Sequence, residues 1–344
     1  MKEVLIMSKT KYYLRIITGV RFKRLKNVID DVAKKTSKNK FQIFLDMINC
    51  GLKYGAGFHD YNIFAFYNMN HKQRKTYVTR VINKKVISLC NNQKYSYIFD
   101  NKNIFNERFK KYLNREFLDL AKIDFNDFKK FMKNKEIIFA KPNIGESGKG
   151  IERLNKNNFK DLKEMFKYIN NPDNNFGVIE ELIIQHKALN KLYPLAINSL
   201  RIVTIVVDEK PYVVYAVCKM GNEGKFVDNI ENSGIFCPID IDTGKINGLA
   251  RSSKLINYTK HPFTKVELIG YQLPYIKEAL KLVEKAALEI KEIKYIGWDV
   301  AITENGPCII EGNDYPGYDF WQLPEHTPNK IGLLPYYKKI LPDL

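Results

Sequence analysis

Cysteine is scarce and scattered: Cys50, Cys90, Cys218, Cys237 and Cys308 are the only five, an odd number, and no two form a C-x-x-C pair. This excludes a disulfide framework, offers no zinc site and suits a reducing, cytoplasmic setting. Long apolar runs are missing as well. Stretches such as Ile202 to Val207 and Tyr212 to Cys218 are six or seven residues long, far short of the roughly 20 that a membrane-spanning helix requires. The five histidines include no H-x-x-x-H pair and no G-x-S-x-G occurs, so zinc hydrolysis and a serine nucleophile find no support. Internal repeats and low-complexity linkers are absent. The start does not read as an export signal, because Val4 to Met7 is too short for an apolar core and Lys9 and Lys11 follow at once.

What is present is a chain of 344 residues, 45% hydrophobic and 27% charged, enough for buried cores in two or three units. The net charge of +18 is unevenly placed: Met1 to Lys53 carries 13 Lys/Arg against 4 Asp/Glu. Within that segment Tyr12, Leu14, Ile17, Val20, Phe22, Leu25 and Val28 recur at helical spacing, which predicts a basic amphipathic helix. Such a face suits anionic lipid, an acidic polymer or plain solvent. Lysine and asparagine are abundant throughout, so the charge reflects composition and does not argue for nucleic acid.

The first hundred residues read as mostly helical, with an aromatic patch from Tyr54 to Tyr67 punctuated by Gly51, Gly55 and Gly57. Strands and helices then alternate. Helices are expected near Ile104 to Leu113, Asp127 to Met132, Phe159 to Ile169 and Pro274 to Ile290. Strands are expected at Ile137 to Ala140, Val178 to Ile184, Ile296 to Ile302 and Cys308 to Gly312. Leu200 to Val207 and Tyr212 to Lys219 form a hairpin joined by Asp208 to Pro211. The mixture argues for an α+β fold with antiparallel sheets.

Three constellations carry chemistry. In the last hairpin, a three-residue loop of Glu304, Asn305 and Gly306 would set Thr303 against Pro307 and Asp299 opposite Glu311. Asn313 then shares their face. Facing carboxylates repel unless a cation lies between them, and Asp, Glu and Asn oxygens are the ligands Mg²⁺ takes alongside phosphate oxygens. The second constellation is Ile137 to Ile151, where a strand ends in Lys141 and opens into a loop with Gly145, Gly148 and Gly150. Missing side chains there let backbone N–H groups close on phosphate. It is not a Walker loop, since Gly150 and not Ser or Thr follows Lys149. The third brings Arg201, in Asn198-Ser199-Leu200-Arg201, and Lys219 to one end of a sheet, where cations suit a transferring phosphoryl group. Glu180 and Glu181 end an apolar strand, and Asp228-Asn229 and His261-Pro262 read as polar loops that could line a pocket.

Taken in order, these pieces resemble the ATP-grasp superfamily, and most closely its sugar-transfer-associated branch, which includes proteins similar to the teichuronopeptide-forming ligase. The resemblance rests on Phe139-Ala140-Lys141-Pro142 with the loop to Gly150, Glu180-Glu181-Leu182-Ile183-x-Gln185-His186, Asn198-Ser199-Leu200-Arg201, Gly297-Trp298-Asp299 and Glu311-Gly312-Asn313. Tyr54-Gly55-Ala56-Gly57-Phe58-x-Asp60-Tyr61 and Arg74-x-x-Tyr77-Val78-Thr79 extend it upstream. It implies an α+β ATP-grasp fold of two subdomains gripping the nucleotide, residues 102–180 and 181–344, after a helical basic region over 1–101.

The resemblance further implies that Lys102 and Lys141 contact the nucleotide phosphates and that the loop with Gly145, Ser147, Gly148 and Gly150 closes over them. Glu180 and the backbone of Glu181, Leu182 and Ile183 would read adenine. Gln185 and His186 stand where many relatives carry an acidic ribose ligand. Arg201 and Lys219 would act on the transferred phosphate, and Asp299, Glu311 and Asn313 would hold two Mg²⁺ (or Mn²⁺) ions. Asp228 and Asn229 would lie in a loop near the acceptor, and Asn198 and His261 are further candidates for contact with substrate. The implied chemistry is ATP-dependent, ADP-forming carboxylate–amine ligation through an acylphosphate, joining an amine to a sugar acid in surface polysaccharide synthesis. Its partners would be small carboxylates and amines, an acidic glycan or a lipid-linked sugar, at the inner face of the membrane. A phosphotransferase on the same scaffold and a non-catalytic basic module binding nucleic acid or anionic membrane are the competing readings.

Overall fold

The computed structural model describes residues 22–145, 149–225, 228 and 233–344. Their contacts divide into two units, Met1–Lys84 with Gln322–Pro335, and Lys85–Trp321 with Tyr336–Leu344. No described helix is long and apolar enough to cross a membrane.

The described part of the first unit is helical, as its sequence spacing predicts. Helix Phe22–Thr36 buries Val32 and leaves Lys23, Lys26, Lys34 and Lys35 exposed, while Tyr12, Leu14, Ile17 and Val20 of the expected basic helix lie outside the described residues. Helix Lys40–Tyr54 starts where the Asn39 side chain accepts the Phe41 N–H at 2.8 Å, satisfying an N-terminal donor. It buries Ile43, Met47, Cys50 and Tyr54 on one face. Gly55, at φ 65°, ends it in the left-handed conformation. Arg74 takes both oxygens of Asp46 at 2.7 Å, and the Tyr61 hydroxyl adds a third bond to that carboxylate at 2.8 Å. The aromatic patch becomes a cluster in which Phe64 and Phe66 pack on the buried ring of Tyr77.

The second unit is built on two antiparallel sheets. The smaller comprises β1 (Phe117–Asp119), β2 (Ile137–Lys141), β3 (Glu152–Asn155) and β4 (Val178–Glu181), in the order β1-β4-β2-β3. Helices Phe125–Phe131 and Leu162–Ile169 share its core through Phe128, Met165 and Ile169, which meet Ile138, Ala140 and Ile179.

The larger sheet comprises β5 (Leu200–Val207), β6 (Lys210–Met220), β7 (Ile235–Pro238), β8 (Ala250–Ser252), β9 (Asn257–Tyr258), β10 (Tyr295–Thr303) and β11 (Gly306–Asn313). Their order is β11-β10-β5-β6-β7-β8-β9. Helix Ile276–Ala287 and the aromatic face of helix Lys102–Leu113 close its core on Ile202, Trp298, Val300 and Ile309. All five cysteines are buried and unpaired.

Two connections differ from the expectation. β5 and β6 are joined by a two-residue turn, Asp208-Glu209, with φ of 49° and 60°, so Lys210 and Pro211 belong to the strand. Both turn residues are left-handed, the twist that tight hairpins require. β10 and β11 also meet through a two-residue turn: Thr303 pairs with Gly306 and Ile302 with Pro307, not Thr303 with Pro307. That register alone would set Ile310 against Asp299. A bulge between Asp299 and Val300 makes Ile310 the extra residue, and Asp299 faces Glu311 after all.

Candidate active site

Strand register assembles the site. Asp299 on β10 pairs with Arg201 on one side and Glu311 on the other, and Arg201 pairs with Val217 of β6. Residues paired across a sheet share a face, as do residues two apart on a strand. Arg201, Asp299, Glu311, Asn313 and Lys219 therefore form one row on the face opposite Trp298.

Asp299 anchors the row. Its side chain is 5% exposed; Arg201 donates to it through Nε at 2.5 Å and Nη2 at 2.9 Å, and Lys219 Nζ donates at 2.8 Å. Burial alone would raise the Asp299 carboxyl, but the Arg201 and Lys219 charges outweigh it and hold it far below the usual carboxylate range. Burial would likewise weaken the Lys219 ammonium, and Asp228 and Asp299 overcome that and raise it. Asp228 lies 3.8 Å from Lys219 and also accepts the backbone N–H and hydroxyl of Ser199.

Glu311 behaves in the opposite sense. It is open to solvent on the edge strand β11, yet surrounding protein and the facing Asp299 push its carboxyl up. The row thus offers two facing carboxylates, one neutralised by cations and one repelled by its neighbour. Asn313 adds an amide oxygen, which accepts the Tyr315 N–H at 2.7 Å. Among the described residues no three His, Cys, Asp or Glu side chains converge as a metal cage. An acidic pair with an amide oxygen nevertheless fits Mg²⁺, which is held by one or two carboxylates with water and substrate phosphates.

The smaller sheet supplies a second charged cluster. Lys141, at the end of β2, donates to Glu180 Oε2 at 2.6 Å, and Asn106 donates to Oε1 at 2.9 Å. Burial would raise the Glu180 carboxyl, but Arg115 and Lys141 hold it well below its ordinary range. Lys102 Nζ donates to the Gly145 carbonyl at 2.8 Å. β4 ends at Glu181, whose N–H goes to the Glu116 carbonyl, and Leu182 and Ile183 continue outside the ladder. Ser147, Gly148 and Asn229 lie outside the described residues.

Gly150 has φ 71°, and a β-carbon there would stand 2.8 Å from Pro142 Cγ. Gly150→Ala is expected to distort the loop at a cost of about 1–2 kcal/mol. Thermal melting and nucleotide affinity measured together check this, and an unchanged variant would show that the loop tolerates a side chain.

Gln185, Asn198 and His261, expected near ligands, are buried and hydrogen-bonded within the chain. The Gln185 carbonyl accepts both Asn198 nitrogens, and its NH₂ reaches Asn190 and the carbonyls of Tyr193 and Ala196. The Asn198 amide also reaches Leu189 and Tyr193 carbonyls. These are buried amides with their capacity spent on the chain's own backbone. His186 caps helix Lys187–Leu192 and faces Glu304 at 3.3 Å.

His261 is fully buried and stacked on Tyr193. Its Nδ1 accepts the N–H groups of Phe263 and Thr264, so Nε2 carries the proton donated to the Gly221 carbonyl at 2.9 Å. Burial, helped by Lys265, lowers its pKa from 6.5. The unfolded chain then takes up this proton first as pH falls, and the associated stability, present above pH 6.5, is lost below it. The drop in melting temperature between pH 7.5 and 5.5 is expected to be smaller in His261→Phe than in the wild type; equal drops would assign acid sensitivity elsewhere.

Arg115 is the residue that sequence reading missed. It is 2% exposed and donates to Glu180, 3.1 Å from Nε. Its Nη1 and Nη2 donate to the carbonyls of Ile309 and Ile310 at 2.6 and 3.0 Å. The only local signal was a cation between Leu113 and Phe117, two residues that bury their side chains wholly or in part. Two shallow hollows, one along Phe125, Lys163 and Phe166 and the other along Asn103, Asp119 and Asn143, include none of the charged row.

Two antiparallel sheets carry Lys141 at the end of a strand of one and, across β6, β5, β10 and the edge strand β11 of the other, a row of acids and bases. The family model for sugar-transfer associated ATP-grasp matches residues 81–340, and the chain belongs to that family. No curated protein matches. Among solved structures it is similar to D-alanine–D-alanine ligase from Helicobacter pylori, at 14% identity over 76% of this chain and 69% of that one, TM-score 0.42. It is also similar to N5-carboxyaminoimidazole synthetase from Staphylococcus aureus complexed with ADP, at 14% identity, 64% and 46% coverage and TM-score 0.40. L-amino acid ligase from Bacillus licheniformis matches at 15% identity, 64% and 42% coverage and TM-score 0.37. The chain spans less than half the length of the latter two proteins.

Proposed function

We propose that this protein is an ATP-dependent, ADP-forming carboxylate–amine ligase acting through an acylphosphate. The observation that supports this most is the row of Arg201, Asp299, Glu311, Asn313 and Lys219 on one sheet face of an ATP-grasp family chain. In this reading Lys141, Lys102 and the loop to Gly150 hold the nucleotide phosphates, and Glu180 with the chain from Glu181 to Ile183 borders the adenine. Asp299, Glu311 and Asn313 would hold Mg²⁺, which supplies charge neutralisation on phosphate oxygens when bound.

A substrate carboxylate oxygen bonds to the γ-phosphorus as the bond to ADP breaks. The amine nitrogen then bonds to the acyl carbon, inorganic phosphate leaves, and the nitrogen gives up a proton. Arg201 and Lys219 face the charge that moves between these oxygens, so the protein's contribution is positioning and electrostatics, with no side-chain nucleophile. The family's association with sugar transfer, with the basic surface of helix Phe22–Thr36, points to an amino acid or amine joined to a sugar acid of a surface polysaccharide at the membrane's inner face.

The test is release of ADP and phosphate from Mg·ATP across a panel of amino acids, each with and without uronic acids, with Glu311→Ala and Lys141→Ala as controls. Release that requires both an amine and an acid and disappears in the variants is the expected result. Turnover that survives both substitutions would overturn the site, and a stable phosphorylated product with little free phosphate would make the enzyme a phosphotransferase.

A further inference from the structure

We propose that Arg115 is a positioning residue for the metal site, holding the β11 bulge that keeps Glu311 opposite Asp299. The inference rests on the reading that this row holds Mg·nucleotide. Among the described strands β11 lies at the edge of its sheet, paired through β10. In a regular strand successive carbonyls point to opposite sides, so one guanidinium beside the edge cannot take two in a row. At Ile309 and Ile310 it does, at 2.6 and 3.0 Å, because Ile310 is the unpaired residue of the bulge. The fork of Arg115 therefore fits the bulged strand and not the regular one.

The regular alternative is specific. The two-residue turn starts a register of Thr303 with Gly306 and Ile302 with Pro307. Continued without a bulge, it would set Ile310 against Asp299 and turn Glu311 toward the face of Trp298, since a one-residue slip moves a side chain to the other face. Arg115 opposes that slip by satisfying two carbonyls that only the bulge presents together. Its third bond, to Glu180, fixes the fork from the smaller sheet. That bond also leaves Glu180 with a buried counter-charge when Lys141, its other cation, turns to a phosphate. Arg115 thus links the residues that border the adenine to the residues that hold the metal.

The experiment is calorimetric titration of ADP into the full chain at a series of Mg²⁺ concentrations and again in EDTA, for wild type, Arg115→Gln and Arg115→Lys, with thermal melting of each. Lysine keeps a charge near Glu180 but, as a point charge, does not reproduce the fork. Both variants are expected to raise the half-saturating Mg²⁺ about tenfold, the usual size of an effect from a residue that orients ligands, while ADP affinity in EDTA changes less than about twofold. Wild-type Mg²⁺ dependence in Arg115→Lys would overturn the proposal in favour of simple charge balance at Glu180. Equal loss of affinity in EDTA, or failure of both variants to fold, would overturn it in favour of a role in the fold alone. Wild-type ADP binding indifferent to Mg²⁺ would instead sink the functional reading itself.

Discussion

Replacing Asp299 by alanine is expected to lower the stability of the protein by about 3–5 kcal/mol, the cost of breaking a buried ion pair by removing one partner. Arg201 and Lys219 would both lose the carboxylate to which they now donate, and Asp228 is engaged with Ser199 and stands 3.8 Å from Lys219. The urea midpoint should fall with an unchanged slope, and ADP formation should disappear. A midpoint within error of the wild type would mean that the two cations find other partners and that Asp299 does not anchor the row.

Glu311→Gln is expected to separate activity from stability. Burial and the facing Asp299 outweigh the pull of Lys219 and Arg201 on its carboxyl, which is pushed up where that of Asp299 is pulled down. The sign follows directly: a charge the fold disfavours is removed, so the melting temperature should be no lower than that of the wild type. If the proposed function holds, turnover should nonetheless fall by at least about 100-fold, since an acidic metal ligand would be lost from a site that works by charge neutralisation. Melting curves and Mg²⁺-dependent ADP release on the same preparation decide it. A destabilised Glu311→Gln would show that this carboxylate serves the hairpin, and full activity would remove it from the metal site.

Much of this fold was legible because helix and strand periods differ and the chain keeps to them. Helix Lys102–Leu113 and strands β2, β5 and β10 lie where apolar spacing predicts. The short strands β7, β8 and β9 were not foreseen, because two to four residues between polar loops carry no period. The opposition of Asp299 and Glu311 was expected from a three-residue loop and is realised by a two-residue turn with a bulge, two departures that cancel. The clue lay in Ile309-Ile310, adjacent apolar residues where alternation should hold, but the bulge's partner is Arg115, 194 residues away from Ile309. Local pattern cannot report such a contact. Gln185, Asn198 and His261 show a related limit: a polar side chain reads alike in sequence whether it faces a ligand or satisfies buried backbone, as these three do.

The burial of every cysteine has a practical consequence. Burial pushes the Cys50 thiol up to about 12 and those of Cys90 and Cys308 up to about 11, so few thiolates are present at neutral pH to meet an alkylating reagent. A single cysteine introduced at Ile144, 69% exposed just ahead of the glycine loop, would therefore take a fluorescent maleimide almost alone. The native sequence is already a clean background for site-specific labelling, and nucleotide binding beside Lys141 can be followed optically from position 144 without first removing its own thiols.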